Sequence, residues 1–175
     1  VVGLAADLIT KSWVLGQYPP FGMEPVWWLD GVLGIQTSLN GGALFGIGQG
    51  GSQWFALLSV GALLAIFFFM FVRGMARNRW LTIDVAMIAA GILGNLYDRL
   101  GFGYDPSWEQ PAVATHVRDW IHFRLEGVPW FDPWPNFNIA DSLLVCGAIL
   151  LVIISLFGLG EPTERAAGET QRAAE

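Results

Sequence analysis

From Ser142 to Leu159 the chain runs eighteen residues without a charge, and Asp141 stands at the mouth of that run. A helix rising about 1.5 Å per residue needs roughly 20 residues to span a bilayer's hydrocarbon core, so this segment and little else of its kind can cross one. A second run, Trp54–Val72, is nineteen residues long and equally uncharged. A carboxylate placed in such a span is costly, about 2.5–3.5 kcal/mol at a helix centre and less near an end. Asp141 is therefore a functional candidate, and its partners decide what it does.

The rest of the composition agrees with a membrane protein. Of 175 residues 54% are hydrophobic and only 14% are charged, against about 25% in an ordinary soluble domain. The length suits one small bundle. The net charge of −6 says little about partners, since four of the fifteen acids follow Gly160. The nine Lys and Arg are scattered, with no basic stripe for nucleic acid. One cysteine, Cys146, excludes a disulfide framework and reads as a small apolar helix residue. No cleavable signal is visible, and because the chain opens inside an apolar segment, residues preceding Val1 are expected.

Taken in order, helices are expected at about 1–16, 54–72, 80–100 and 137–159, with outer loops at 17–53 and 101–136. In the first, Asp7, Thr10 and Lys11 fall at i, i+3 and i+4 and share one face. Residues 17–53 hold no Lys or Arg; Trp27 and Trp28 suit an aromatic belt, and Leu33–Asn40 alternates with a strand's period. Glycines at 41, 42, 46, 48, 50 and 51 follow. A small sheet resting on the membrane is expected. Arg73, Arg77 and Arg79 mark the next linker as cytoplasmic by the positive-inside rule, which puts both long loops outside. The third helix has Gly91 and Gly94 for close approach, then Asn95, Asp98 and Arg99 at i, i+3 and i+4. Asp84, near its inner end, reads as an interfacial charge. Residues 161–175 are expected to be a disordered cytoplasmic tail after a single embedded domain at 1–160.

With that topology every embedded polar cluster lies at one level. Asp7, Thr10 and Lys11 end the first helix outside, Asn95, Asp98 and Arg99 end the third, and Asn138 and Asp141 begin the fourth. One site is expected. Two carboxylates facing each other in a low-dielectric pocket cannot both ionise, and sharing one proton supplies a general base for water and a general acid for the leaving amine. The residues alone leave the second carboxylate open among Asp7, Asp98 and Asp119.

The ordered motifs resemble the lipoprotein signal peptidase (signal peptidase II) family. They are Asp7-Leu8-Ile9-Thr10-Lys11, Asn40-Gly41-Gly42-Ala43-Leu44-Phe45, Gly94-Asn95-Leu96-Tyr97-Asp98-Arg99, Val117-Arg118-Asp119-Trp120 and Pro135-Asn136-Phe137-Asn138-Ile139-Ala140-Asp141-Ser142. The resemblance implies a mainly α membrane protein: a four-transmembrane-helix bundle with a small extracytoplasmic β-sheet cradle, multi-pass in the bacterial cytoplasmic (inner) membrane. It implies an aspartyl endopeptidase with the dyad Asp119 and Asp141, with Asn40, Asn95, Arg99 and Asn138 lining the site and Asp7, Lys11 and Asp98 holding it together. The implied substrate is a prolipoprotein whose cysteine bears diacylglycerol, cut just before that cysteine. No metal and no cofactor are implied, and a monomer in contact with membrane lipid is expected. Two outer segments, Arg99–Asp119 and Ile121–Pro135, are longer than the family pattern, and Arg118 stands where an apolar residue is usual.

Other chemistries fit less well. His116, Asp119 and His122 are three apart, but two histidines without a His-Glu-x-x-His pattern make a poor metal site. No outer serine sits in a nucleophile-elbow sequence. A transporter or channel would spread its charges through the depth of the bundle, whereas the inner halves of the second and fourth helices are apolar.

Overall fold

A computed structural model describes residues 2–42, 48, 50–74 and 78–159. The expectations placed on Arg77, on Ala43-Leu44-Phe45 and on the tail at 161–175 lie outside the described residues. Among the described residues there are four long helices and one sheet: α1 (Val2–Gln17), β1 (Val26–Leu29), β2 (Leu33–Asn40), α2 (Ser52–Phe67), α3 (Arg79–Arg99), β3 (Val117–Phe123), β4 (Trp134–Phe137) and α4 (Ile139–Phe157). α2 continues through a π-helical turn, Phe68–Val72. Three stretches are long and apolar enough to cross a membrane: Ser52–Val72, Arg79–Arg99 and Ile139–Phe157.

These helices turn apolar side chains outward, as a bundle dissolved in lipid must. Leu58, Leu64 and Phe71 near α2, and Ile149, Val152 and Leu156 on α4, are among the exposed hydrophobics. Close contact between helices instead depends on small residues. A Cβ on Gly91 would strike the Ala140 carbonyl and Leu144, and one on Gly94 would strike the Asp7 carboxylate and Ala140. Asn78 starts α3 by accepting from the backbone N–H groups of Trp80 and Leu81, at 2.9 and 3.2 Å, and its amide also donates to Leu159 at the end of α4.

The sheet is antiparallel throughout, in the order β1-β2-β3-β4. β2 covers the alternating run read from the sequence, residue for residue. Its register with β3 places Ser38 opposite Asp119 and Asn40 opposite Val117. The sheet is fastened to the bundle by a core of Val14 and Leu15 from α1, Ile35 from β2 and Trp120 from β3. Trp28 is exposed, while Trp27 packs edge-on against His122.

Below that core lies a buried ion network. α1 buries Asp7, Lys11, Val14 and Leu15, one stripe at helical spacing. Lys11 is fully buried, donates to Asn95 Oδ1 at 3.0 Å and forms ion pairs with Asp7 Oδ2 at 2.8 Å and Asp98 Oδ2 at 3.0 Å. Asp98 in turn takes Arg118 Nε at 2.8 Å, and Asp7 Oδ1 takes the Ala140 N–H at 2.9 Å. Two cations match two anions, and α1, α3, β3 and α4 are tied at one level. Thr10 takes no part: its hydroxyl bonds back to the carbonyls of Ala6 and Asp7 within α1.

Asp84 corrects the sequence reading. It is fully buried, because α2 and α4 close over that face of α3, and neither carboxylate oxygen has a hydrogen-bond partner among the described residues. It borders a cavity of about 450 Å³ walled by Ile66, Phe69, Met70, Ile88 and Leu151.

Lys11→Met leaves Asp7 and Asp98 without their shared cation, and removing one member of a buried ion pair costs about 3–5 kcal/mol. The expected result is a large drop in the thermal midpoint of the detergent-solubilised protein, partly recovered when Asp7→Asn is added. A single variant as stable as the parent would show that the network does not hold the bundle.

Candidate active site

The loop that enters α4 gathers the remaining polar residues. Asn138 caps the helix: its side-chain oxygen accepts the Asp141 N–H at 2.9 Å, and Asp141 Oδ2 accepts the Asn138 N–H at 3.1 Å. This reciprocal box satisfies two otherwise unpaired donors of the first turn and holds the Asp141 side chain in one orientation. Asn95 Nδ2, one helix away, donates to Asp141 Oδ1 at 2.8 Å. Both oxygens of Asp141 are therefore held.

Asn138 also reaches the sheet. Its Nδ2 donates to Asp119 Oδ1 at 2.7 Å, with Asn95 Oδ1 at 3.1 Å and the Arg118 carbonyl at 3.4 Å beside it. Asn40 at the end of β2 hydrogen bonds to Asp119 as well, while its own oxygen accepts the Gly42 N–H at 2.9 Å. One asparagine thus holds both aspartates, Asp119 through its side chain and Asp141 through its backbone and its cap.

The three acids left open differ in the charges around them. Asp7 and Asp98 each have a cation within 3.0 Å, whereas Asp119 has none at ion-pair distance among the described residues. Burial and then the charge of Asp141 push the Asp119 carboxyl well above the usual carboxylate range, against a counter-pull from Lys11, Asn40 and Asn138. Asp119 is thus a carboxyl on which a proton is favoured, beside a second carboxylate.

Arg99 stands on the open side. Its Nη2 donates to the Gly42 carbonyl at 3.3 Å, its guanidinium lies 5.5 Å from the Phe55 ring centre, and the charges of Asp141, Asp119 and Asp98 all act on it. Asp141 borders two cavities. One, about 260 Å³, is walled by Arg99, Asn95, Ile92, Ser59, Leu144 and Val145; the other, about 290 Å³, by Trp134, Phe137, Ser142, Val145 and Cys146. A peptide laid across Asp141 would have an apolar slot on either side.

All nine residues singled out for the site are brought together by these contacts. The histidines are not. His116 through His122 run into and along a strand rather than a helix, and His122 Nδ1 is engaged with Asn136 Oδ1 at 2.8 Å. Among the described residues no three His, Cys, Asp or Glu side chains are grouped to hold a metal. Arg118 is the functional neighbour that sequence reasoning undervalued. The signal was present, in a basic residue beside an acid in a buried strand, but its partner Asp98 lies 20 residues away.

Comparison with known proteins agrees with this geometry. A family model described as signal peptidase (SPase) II matches residues 1–157. The lipoprotein signal peptidase of Rhodopirellula baltica is 42% identical over 169 residues, which cover 96% of this chain and 74% of that protein. Those of Rhodococcus jostii and Lactococcus lactis are each 33% identical, over 90% and 89% of this chain and 70% and 89% of theirs. A bacterial membrane enzyme solved by the in meso method at 2.3 Å resolution superposes with a TM-score of 0.73 at 27% identity, covering 93% of this chain and 88% of that one. With the motifs, the fold and the relatives in accord, the chain belongs to the signal peptidase II family.

Proposed function

We propose that this membrane protease is an aspartyl endopeptidase that removes the signal peptide from diacylglyceryl-modified prolipoproteins, cutting just before the lipidated cysteine. The observation that carries the reading is the clamp at Asn138, which hydrogen bonds to both Asp119 and Asp141. Asp119, almost fully buried and without a cation at ion-pair distance among the described residues, is the general acid. Asp141 is the general base that deprotonates the attacking water. After the tetrahedral intermediate forms, the proton held by Asp119 passes to the leaving nitrogen and Asp141 is left protonated, so the pair exchanges roles and keeps one proton. Arg99 and Asn40 flank the pair and supply donors to the developing oxyanion.

In this reading α1 is the fourth crossing, both ends of the chain are cytoplasmic, and the sheet lies on the outer face of the cytoplasmic membrane. Asp141 occupies the first turn of α4, so the scissile bond would sit near the headgroup boundary, where a lipid on the adjacent cysteine would hold it. The apolar slots beside Asp141 suit the lipid-bearing residue and the small apolar residues before it. The protein acts as a monomer, since one chain supplies every group. A transporter is not favoured: Asp7, Lys11, Asp98 and Arg118 close on one another at a single level, and the buried Asp84 is isolated from them, so the charges trace no path.

Asp119→Asn and Asp141→Asn should each lower cleavage of a diacylglyceryl-modified prolipoprotein by several orders of magnitude while the thermal midpoint changes little. Full processing by either variant, followed as a mobility shift, would exclude the dyad. Asn138→Leu removes the clamp and leaves both acids in place; kcat should drop strongly with both carboxylates intact, and an unchanged rate would mean that the clamp has no role. Incubation with a strong chelator should leave the rate unaltered. Loss of activity that added zinc restores would instead require a metal.

A further inference from the structure

A cavity of about 290 Å³ opens between the outer ends of α1 and α3 and the segment at 102–108, apart from the two beside Asp141. Its polar floor is Arg118, only 5% exposed. The Nε of Arg118 is committed to Asp98, Nη1 makes a 3.4 Å contact with Ser12 Oγ, and Nη2 has no acceptor among the described residues. A buried guanidinium donor left unpaired is unfavourable by the full desolvation cost of its N–H groups. Gly103 lies against this pair, where a Cβ would collide with both Asp98 and the guanidinium, so the loop backbone is pressed onto Arg118.

The remaining wall has the opposite character. Asp105 accepts the Ser107 N–H at 2.8 Å, which holds its carboxyl below the usual range and keeps it charged. Tyr104 and Trp108 stand beside it edge to face, ring centres 5.8 Å apart. A carboxylate with aromatic faces is the surrounding an alkylammonium prefers, and an unspent guanidinium with a hydroxyl is one that a phosphate prefers. One cavity offers both. A free phosphate would satisfy Arg118 and be repelled by Asp105; a ligand carrying phosphate and ammonium together satisfies the whole lining. Phe102 in the lining, Trp13 next to Ser12 on α1 and Leu100 at the end of α3 are exposed by 65, 59 and 54%, so the elements that frame the cavity carry an apolar collar. That collar suits acyl chains attached to such a ligand.

We propose that this cavity binds the headgroup of a zwitterionic phospholipid of the outer leaflet, with the phosphate on Arg118 and Ser12 and the ammonium against Asp105, Tyr104 and Trp108. A bound headgroup clamps the 102–108 segment onto Arg118, the residue next to Asp119. The site is separate from the peptidase chemistry, and its test does not use cleavage.

The full chain, purified in detergent, would be titrated with short-chain phosphatidylethanolamine, with phosphatidylglycerol of the same chains and with inorganic phosphate. Bound lipid would be counted by native mass spectrometry and the thermal midpoint followed in parallel. Phosphatidylethanolamine should bind one per chain and raise the midpoint, phosphatidylglycerol should bind at least tenfold more weakly, and inorganic phosphate should leave the midpoint unmoved. Asp105→Asn, which can still cap Ser107, should weaken phosphatidylethanolamine at least fivefold, and Ser12→Ala should weaken it as well. Arg118→Leu should abolish binding; if that variant does not fold, Asp105→Asn decides alone. Equal binding of the two lipids, binding of phosphate as tight as that of the lipid, or unchanged binding by Asp105→Asn would each overturn the proposal.

Discussion

A lysine ammonium with no access to solvent is the constraint that the sheet end of the bundle is built to satisfy. Lys11 sits in an apolar helix, and an unpaired charge there would be prohibitive. Its three acceptors come from α1 itself and from α3, at Asp7, Asp98 and Asn95. Each acceptor then has a second task. Asp98 holds Arg118 and with it β3; Asp7 holds the Ala140 N–H and with it the start of α4; Asn95 accepts from Asn138 and donates to Asp141. Compensating one charge thus brings a strand and a helix into the register that sets Asp119 near Asp141.

The same accounting separates the acids into two pairs. Four aspartates crowd the sheet end of the bundle, and chemical type alone cannot rank them. Asp7 and Asp98 are neutralised by cations at 2.8–3.0 Å. Asp119 and Asp141 receive only amide donors at hydrogen-bond distance, which orient a carboxylate without neutralising it. Neutral donors leave a carboxyl free to gain and lose a proton, and that freedom is what acid–base work at a peptide bond requires. Family membership is settled by sequence and fold; the aspartyl mechanism rests on this difference between the two pairs of acids.

Much of this was legible in the residues. The uncharged runs located α2 and α4, alternation located β2, and the glycines at 91 and 94 marked where α3 meets α1 and α4. The i, i+4 spacing of Asp7 and Lys11 foretold their pair. Long-range pairing was not legible. The bonds from Lys11 to Asn95 and from Asn138 to Asp119 close loops of 84 and 19 residues, and no local period records them. Asp84 misled for a related reason: distance from a helix end suggests exposure, but burial depends on which neighbours cover that face. Thr10 misled in the opposite sense, sharing the polar face of α1 and spending its hydroxyl on its own helix.

The central claim is that Asp119 keeps a proton which an ordinary carboxyl would have lost. Between the ordinary carboxylate value, near 3.9, and the raised value in the fold, the folded chain binds a proton that the unfolded chain does not. The stability this contributes is present at low pH and is lost as pH rises through that window, by at most about 1.4 kcal/mol per pH unit. The direct measurement is unfolding stability across pH 5 to 9 for the parent protein and for Asp119→Asn. The account predicts a stability that declines with pH in the parent and a clearly shallower decline in the variant. Parallel curves would mean that Asp119 is ionised throughout, and the shared proton would have to be abandoned.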